Sequence, residues 1–164
     1  MNKVIVLGAS GVGKSYFSKR LASLTNLPLF HLDNIWWKED KTHIERSEFD
    51  EKLDEILKKD KWIIDGDYSR TYVVRIEKAD TIIFLDFPLE EALKGAKSRI
   101  GKQRSDIPWQ ESEFDPEFGE WIVNWYKEKK PILLELLDKY KKTKDVIVFK
   151  TRKEIDEYLK NLNL

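Results

Sequence analysis

The segment GASGVGKS, Gly8 to Ser15, has the residue types and spacing best suited to chemistry in this 164-residue chain. It matches G-x-x-x-x-G-K-[ST], whose glycines let successive backbone N–H groups point at phosphate oxygens. An apolar run, VIVL, precedes it and a helix-compatible run, YFSKRLASL, follows it. A glycine-rich turn without a ligand is the alternative, but this strand–loop–helix context favours a nucleoside triphosphate site. The residues expected to contact the nucleotide there are Gly8, Ala9, Ser10, Gly11, Val12, Gly13, Lys14, Ser15 and Tyr16.

Oxygen ligands near this loop predict a Mg²⁺ site. The hydroxyl of Ser15 can ligate the metal, and a second, acidic ligand is required. Asp65 ends the apolar run WIID and Asp86 ends TIIFLD, so either carboxylate can lie at the strand edge where ligands bind. Asp65 is favoured because Gly66 lets the chain turn away beside the phosphates, and Asp67 is a weaker candidate. An aspartate in such a place is also a common turn residue.

Two arginines beside a polar segment predict a lid over the phosphates. Lys14 is expected to reach the β- and γ-phosphate oxygens, while Arg99 and Arg104 neutralise the migrating phosphoryl group. The segment 101–116, GKQRSDIPWQESEFDP, is polar, bounded by prolines and expected to be irregular and mobile. A solvated basic helix end is the alternative for these arginines.

Alternating apolar runs and helical patterns indicate the elements that must position these residues. The runs are continuous, as in parallel strands buried on both faces; they lie at 4–7, 27–32, 62–65, 81–86 and 146–149. They predict an α/β, three-layer fold with a five-stranded parallel sheet and helices on both faces. The length predicts a single domain, 1–164.

Local patterns predict where several helices begin and which faces they bury. The start positions expected are Ser47, Pro88 as a first helical residue, a restart at Pro131, and a capping box of Thr151 and Glu154. The expected buried stripes are Phe49, Leu53, Ile56 and Leu57; Trp121, Ile122 and Trp125; and Ile155, Tyr158, Leu159 and Leu162.

The composition narrows the classes of function. Apolar residues make up 41%, charged residues 37%, the formal net charge is zero and cysteine is absent. Thiolate catalysis and disulfides are therefore excluded, and no net positive charge attracts nucleic acid or anionic membranes. No apolar stretch approaches the roughly 20 residues that span a bilayer, so we expect a cytoplasmic protein. The sequence leaves monomer and dimer open.

The phosphate-loop context admits several classes of protein, and the length and motifs favour one. A GTPase would carry an N-K-x-D base-recognition pattern, which this sequence lacks. A motor-type ATPase normally needs a longer chain. A small-molecule kinase fits the length and explains the predicted lid, which must exclude water during phosphoryl transfer.

Five segments together resemble the bacterial topology-modulation (FlaR-type) proteins, small P-loop proteins related to adenylate kinase and other nucleoside-monophosphate kinases. They are GASGVGKS, HLDNIWW, WIIDGDYSRTYVVR, ADTIIFLD and EFGEWIVNWYKEKKPILLELL, and they extend over nearly the whole chain. The resemblance implies a five-stranded parallel sheet with an acceptor-side insertion at about 34–60 and a lid at about 101–116. It also implies ATP binding and a kinase-like activity on a poorly defined small acceptor.

Individual positions follow from the same resemblance. Asp65 matches the DG motif of adenylate kinases, which continues there as FPR and here as DYSR, so Arg70 is displaced by one position. The segment RIGKQR resembles the beginning of the adenylate kinase lid, with Arg99 the firmer match. The loop Lys150–Arg152 takes the place of the adenine contact, so Arg152 joins the expected nucleotide-binding residues. The acceptor region departs from adenylate kinase, so AMP is not implied as the substrate.

The stretch HLDNIWW is expected to form the acceptor side of the cleft. Asp33 follows the second predicted strand and faces the same sheet edge as the phosphate loop, so it is a candidate for orienting the acceptor or acting as general base. Capping of the strand end is the alternative. Of Trp36 and Trp37, one is expected to pack on the core and the other to offer a flat wall to a ring.

Other polar residues have weaker assignments. Arg75 is expected either to bind the acceptor or a phosphate, or to form a surface ion pair. His31 and His43 are expected to be structural, since neither has a carboxylate or second histidine at metal spacing. Two further functions stay open: a nucleotide-dependent regulator that contacts DNA, and a non-catalytic nucleotide binder.

Overall fold

A five-stranded parallel sheet forms the centre of the protein, in the order β2-β3-β1-β4-β5. The computed structural model describes residues 1–163. The strands are β1 Lys3–Gly8, β2 Leu29–His31, β3 Trp62–Asp65, β4 Thr81–Leu85 and β5 Asp145–Phe149. Each neighbouring pair is parallel, so the carboxyl ends of all five strands lie along one edge, where ligands bind in open α/β sheets.

Continuous apolar runs produce the strands because the sheet is covered on both faces. Every residue of β3 and β4 is buried, and β1 is buried beyond its first residue. The predicted runs and observed strands agree to within one residue, except that β2 is shorter than 27–32. β2 ends at His31 because the next residue, Leu32, begins a helix that carries the chain away from the sheet edge.

Helices cover both faces of the sheet. They are α1 Lys14–Thr25, α2 Leu32–Trp36, α3 Arg46–Leu57, α4 Tyr72–Lys78, α5 Leu89–Ser98, α6 Pro116–Asn124, α7 Lys130–Tyr140 and α8 Arg152–Leu162. A 3₁₀ turn, Ser69–Thr71, precedes α4, and a π-helical turn, Trp125–Lys129, joins α6 to α7. Within the described residues, no helix has the length and apolar character needed to cross a membrane.

The predicted helix starts hold with small shifts. Pro88 is the N-cap of α5 and not its first residue, and α3 begins one residue before Ser47. The capping box is confirmed: Thr151 Oγ1 accepts from the Glu154 amide at 3.2 Å, and Glu154 Oε2 accepts from the Lys150 amide at 2.6 Å. The predicted stripe of α3 is buried throughout.

The predicted stripe of α6 is wrong at Trp121. This side chain is 47% exposed and stacks on Phe118, whereas Trp125 is 3% exposed. Ile122 and Trp125 mark the buried face, and Trp121, four residues before Trp125, lies at the edge of that face, where its ring meets solvent.

Candidate active site

The loop between β1 and α1 has the tight curvature that its sequence predicts. Gly11 and Gly13 have φ values of 89° and 93°, a region that other residues rarely adopt. A Cβ at Gly11 would collide with the Ala92 carbonyl, and a Cβ at Gly95 would collide with the Gly11 carbonyl. The loop therefore packs backbone to backbone on α5, which fixes its curvature ahead of the N-terminus of α1.

Lys14 is held in this loop by the loop's own backbone. Its Nζ donates to the carbonyls of Gly8 and Ala9 at 2.9 and 2.8 Å. Burial lowers the pKa of Lys14, while the nearby charges of Asp67, Asp33 and Asp65 act to raise it. The ammonium group thus lies in a partly desolvated cleft with three carboxylates around it.

Arg152 lies over the same loop from the start of α8. Its Nη1 is 2.6 Å from the point where a Cβ on Gly13 would lie, and its guanidinium is 5.0 Å from the centre of the Phe87 ring. The structure therefore brings Arg152 to the phosphate loop, as the nucleotide-site prediction requires. Ser15 is half-buried in the first turn of α1, and Tyr16 is exposed beside it.

Asp65 ends β3 directly beside the phosphate strand. It is 5% exposed and pairs with Val6 in the sheet register. His31, its register partner on β2, contacts both carboxylate oxygens through Nδ1 at 2.9 and 2.8 Å. Burial lowers the pKa of His31, but the hydrogen bond and charge of Asp65 outweigh this and raise it.

His31 is expected to be structural, and Asp65 satisfies its Nδ1, although the sequence does not indicate this partner. The two residues are 34 positions apart, and they meet because both end adjacent parallel strands. That shared position is the one sequence feature that could have indicated the pair. His43 is structural as expected: its ring stacks on Trp36 at 4.2 Å and its Nδ1 lies 2.8 Å from the Ile44 carbonyl.

Asp33 lies in the first turn of α2, and its carboxylate faces the loop lysine. Its Oδ1 accepts from the Tyr68 hydroxyl at 2.7 Å. Burial raises the pKa of Asp33, while the Tyr68 hydrogen bond and the charge of Lys14 act to lower it. A half-buried carboxylate with a raised pKa beside this loop is suited to accept a proton.

Asp67 and Arg75 organise the turn after β3. Asp67 Oδ1 accepts from Trp125 Nε1 at 2.8 Å and from the Tyr72 hydroxyl. Arg75 is fully buried and donates to Thr71 Oγ1 at 2.9 Å and to the Gly66 carbonyl at 3.0 Å, with Nη2 reaching two further carbonyls of the turn.

Both predicted roles for Arg75 are wrong. Its guanidinium is neither exposed for a surface ion pair nor free for a ligand, because backbone carbonyls already accept from it. Burial lowers its pKa to about 10, so it stays charged at neutral pH and can be satisfied only by such acceptors. Arg70, by contrast, makes an exposed two-pronged ion pair with Asp50 at 2.7 and 3.2 Å.

Asp86, the other candidate metal ligand, pairs with Lys130 at 2.9 Å. Asp65 is engaged as well, by His31, so these contacts do not choose between the two carboxylates. Among residues 1–163, no group of three or more His, Cys, Asp or Glu side chains is arranged to hold a metal ion. Mg²⁺ needs only one or two protein oxygens when phosphates and water complete its shell, so Ser15 and Asp65 suit it as a donor set.

The predicted lid is irregular, as expected, between the end of α5 and the start of α6. Two hydrogen bonds close it into a loop: the Gly101 amide donates to the Glu111 carbonyl at 2.6 Å, and Gln110 Nε2 donates to the Gly101 carbonyl at 2.7 Å. Two further contacts join it to the acceptor side. Asn34 Nδ2 donates to the Ser105 carbonyl at 2.6 Å, and the Trp37 and Trp109 rings meet edge to face at 5.5 Å.

The two lid arginines have different surroundings. Arg104 binds Asp106 through two nitrogens at 3.0 and 2.6 Å and Glu111 at 3.3 Å. Arg99 Nε is buried and has no hydrogen-bond partner among the described residues. Burial lowers the pKa of Arg99, and the neighbouring charge of Arg104 lowers it further. Arg99 therefore keeps an unpaired donor, whereas Arg104 is already neutralised.

The prediction for the paired tryptophans agrees with the structure in part. Trp36 packs on the core, with its ring 5.5 Å from Phe49 and 6.2 Å from Tyr68. Trp37 instead meets the lid. The tyrosine that bonds Asp33 also stacks on Phe49 at 5.0 Å, so an aromatic cluster lies directly beside that carboxylate.

Comparison with known proteins identifies the fold. No family model and no curated protein matches the chain. The solved structures that resemble it include shikimate kinases from Aquifex aeolicus (19% identity, TM-score 0.59, 97% of this chain and 92% of that one) and from Acinetobacter baumannii in complex with shikimate (13%, 0.62, 99% and 90%). A gluconokinase from Sinorhizobium meliloti is also similar (15% identity, TM-score 0.57, 98% of this chain and 89% of that one). The chain has the five-stranded parallel α/β fold of these P-loop kinases.

Proposed function

We propose that this protein is a small-molecule kinase that transfers the γ-phosphoryl group of ATP to a hydroxyl of a small acceptor. One observation carries the proposal: a loop lysine, a half-buried carboxylate and an arginine with an unpaired donor lie close enough for their charges to act on one another, although they come from three separate elements. These groups are Lys14, Asp33 and Arg99. The kinase names of the similar structures support the same class of reaction.

Each side chain has a defined part in this reaction. Asp33 accepts the proton of the acceptor hydroxyl while its oxygen attacks the γ-phosphorus in line. The bond from the γ-phosphorus to the bridging oxygen breaks, and ADP leaves. Lys14 and Arg99 offset the charge on the phosphate oxygens. Arg104 joins them when its carboxylate partners release it, and Arg152 and Tyr16 hold the nucleotide beside the loop.

Ser15 and Asp65 are the residues that would hold Mg²⁺, which neutralises the β- and γ-oxygens when bound. His31 contacts both oxygens of Asp65 and so fixes the orientation of that carboxylate. We also propose membership of the topology-modulation (FlaR-type) proteins, on the motifs that extend from GASGVGKS to the α6–α7 segment.

The test is acceptor-dependent ADP release with MgATP, measured over a panel of nucleosides, nucleoside monophosphates, sugars and sugar acids. Lys14→Ala is expected to lower turnover at least about a hundredfold, because a positioned charge at the phosphates is worth that much in rate. Lys142→Ala, an exposed lysine far from the loop, is the matched control and should keep full activity. Substantial phosphotransfer by Lys14→Ala would contradict the scheme, and ADP release independent of every acceptor would show an ATPase.

A further inference from the structure

We infer that the acceptor is a ring compound that carries a hydroxyl group and no anionic group. The inference rests on the proposed kinase function and concerns the acceptor side of the same cleft. It departs from the similar structures, since shikimate and gluconate are both carboxylates.

The charges on the acceptor side are the first observation. Asp33 accepts from the neutral hydroxyl of Tyr68, and Asp67 accepts from the neutral donors Trp125 and Tyr72. Within the described residues neither carboxylate makes an ion pair. Two negative charges therefore stand near Lys14 without a cation bonded to either.

The cations that an anionic acceptor would need are engaged elsewhere. Arg104 is bound by two carboxylates, and Arg70 is bound by Asp50. Arg75 donates to backbone carbonyls and is fully buried. Lys14, Arg99 and Arg152 remain near the loop, and the proposed reaction assigns all three to the nucleotide, with Arg104 once its partners release it. A carboxylate or phosphate on the acceptor would thus add negative charge beside Asp33, where partial desolvation strengthens the repulsion.

Aromatic rings beside Asp33 are the second, independent observation. The Tyr68 ring stacks on Phe49 at 5.0 Å and meets Trp36 at 6.2 Å, while its hydroxyl bonds Asp33. Trp37 and Trp109 bring a second aromatic pair from the insertion and the lid. A hydroxyl bound at Asp33 would lie next to the half-buried Tyr68 ring, and a flat aromatic side chain favours the C–H or π face of a ring over a linear, fully hydrated chain.

The experiment uses acceptor pairs of similar size and different charge: adenosine and AMP, myo-inositol and shikimate, glucosamine and gluconate. Phosphotransfer from MgATP is measured as kcat/KM with product identification. The kcat/KM of the uncharged or amine-bearing member of a pair is expected to exceed that of its anionic partner at least about tenfold. Preference for the anionic members would overturn the inference and leave the kinase proposal standing. Turnover of no member, neutral or anionic, would overturn both.

A charge variant tests the cause of the preference. Asp67→Asn keeps an oxygen that can accept from Trp125 but removes one negative charge, so it should reduce the preference several-fold. Glu135→Gln removes the same charge from an exposed position on α7 and should leave the preference unchanged. An unchanged preference in Asp67→Asn, with the fold retained, would overturn the electrostatic explanation.

Discussion

At the scale of single residues, the partners of each carboxylate decide what it can do. Asp65 is bound by a histidine, Asp106 by an arginine, and Asp33 only by a tyrosine hydroxyl. Arg104 holds the pKa of Asp106 below its ordinary value despite burial, whereas burial raises the pKa of Asp33. Of Asp33 and Asp106, Asp33 is therefore the one whose surroundings favour taking up a proton.

Removal of the Tyr68 hydroxyl should move the titration of Asp33 to higher pH. That hydroxyl donates to the ionised carboxylate and lowers its pKa. In Tyr68→Phe this effect is lost while burial still raises the pKa, so the protonated acid is favoured. Carboxyl ¹³C NMR of the protein, without any acceptor, measures the shift directly. In turnover assays, the acidic limb of the pH–rate profile should move upward with it.

Tyr158→Phe is the matched control, because the Tyr158 hydroxyl is exposed and only contacts the Met1 sulfur at 3.9 Å. It should leave the Asp33 titration in place. A pKa for Asp33 that falls, or stays fixed, in Tyr68→Phe would show that the hydrogen bond does not stabilise the ionised form.

Two arginines five positions apart should differ strongly in their contribution to stability. Arg75→Ala removes the donor to the buried Gly66 carbonyl and the half-buried Asp67 carbonyl. Each unsatisfied group costs about 1–3 kcal/mol, so we expect a loss of roughly 3 kcal/mol or more. Arg70→Ala removes only an exposed ion pair and should cost about 0–1 kcal/mol. Urea unfolding measures both. Equal losses would show that Arg75 does not hold the turn.

At the scale of elements, the approach of α5 to the phosphate loop determines the shape of that loop. Gly95 lies against the carbonyl oxygen of Gly11 with no room for a side chain. Gly95→Ala should improve helix propensity by about 1 kcal/mol, yet the loop must move to make room. We expect at least about a tenfold loss of affinity for a fluorescent ATP analogue, and a free energy of unfolding that does not rise.

Gly119→Ala provides the comparison within another helix. A Cβ there would lie 3.2 Å from a ring carbon of Phe114, and a side chain of that kind can shift. This variant should therefore keep its nucleotide affinity, and its free energy of unfolding should stay within about 1 kcal/mol of the parent's. Normal nucleotide affinity in Gly95→Ala would contradict the rigid contact between loop and helix.

The elements could be predicted from the sequence where the pattern is local. The phosphate loop, the buried strands and the capping box at Thr151 follow from short motifs, and the structure has them all. Contacts across the fold were not predictable in this way. The His31–Asp65 pair depends on strand register. The burial of Arg75 depends on the path of the turn after β3, and the exposure of Trp121 depends on which side of α6 faces the core.

At the scale of the whole molecule, the sheet order brings separate segments to one edge. Because β1 lies between β3 and β4, the phosphate loop is flanked by the ends of both strands. The segment after β2 and the segment after α5 contact each other through Asn34 and Trp37. This topology could be expected from five parallel strands, but the lid's contacts with Asn34 and Trp37 could not.

The same connectivity predicts how the molecule unfolds. Insertion and lid both pack on the core and on each other, and we propose that residues 1–164 form a single cooperative unit. Thermal unfolding should therefore show one transition. MgATP at about 100 times its Kd should add about 2.7 kcal/mol of stability; at roughly 2–4 °C per kcal/mol for a chain of this size, the Tm should rise by about 5–10 °C.

Lys14→Ala isolates the origin of this stabilisation. The variant should keep a single transition but lose most of the Tm increase with MgATP, whereas Lys142→Ala should retain it. Two separate transitions in the parent protein would show that the lid or insertion is an independent unit. An equal Tm increase in Lys14→Ala would place the nucleotide away from the phosphate loop, because only a ligand bound to that loop depends on its lysine.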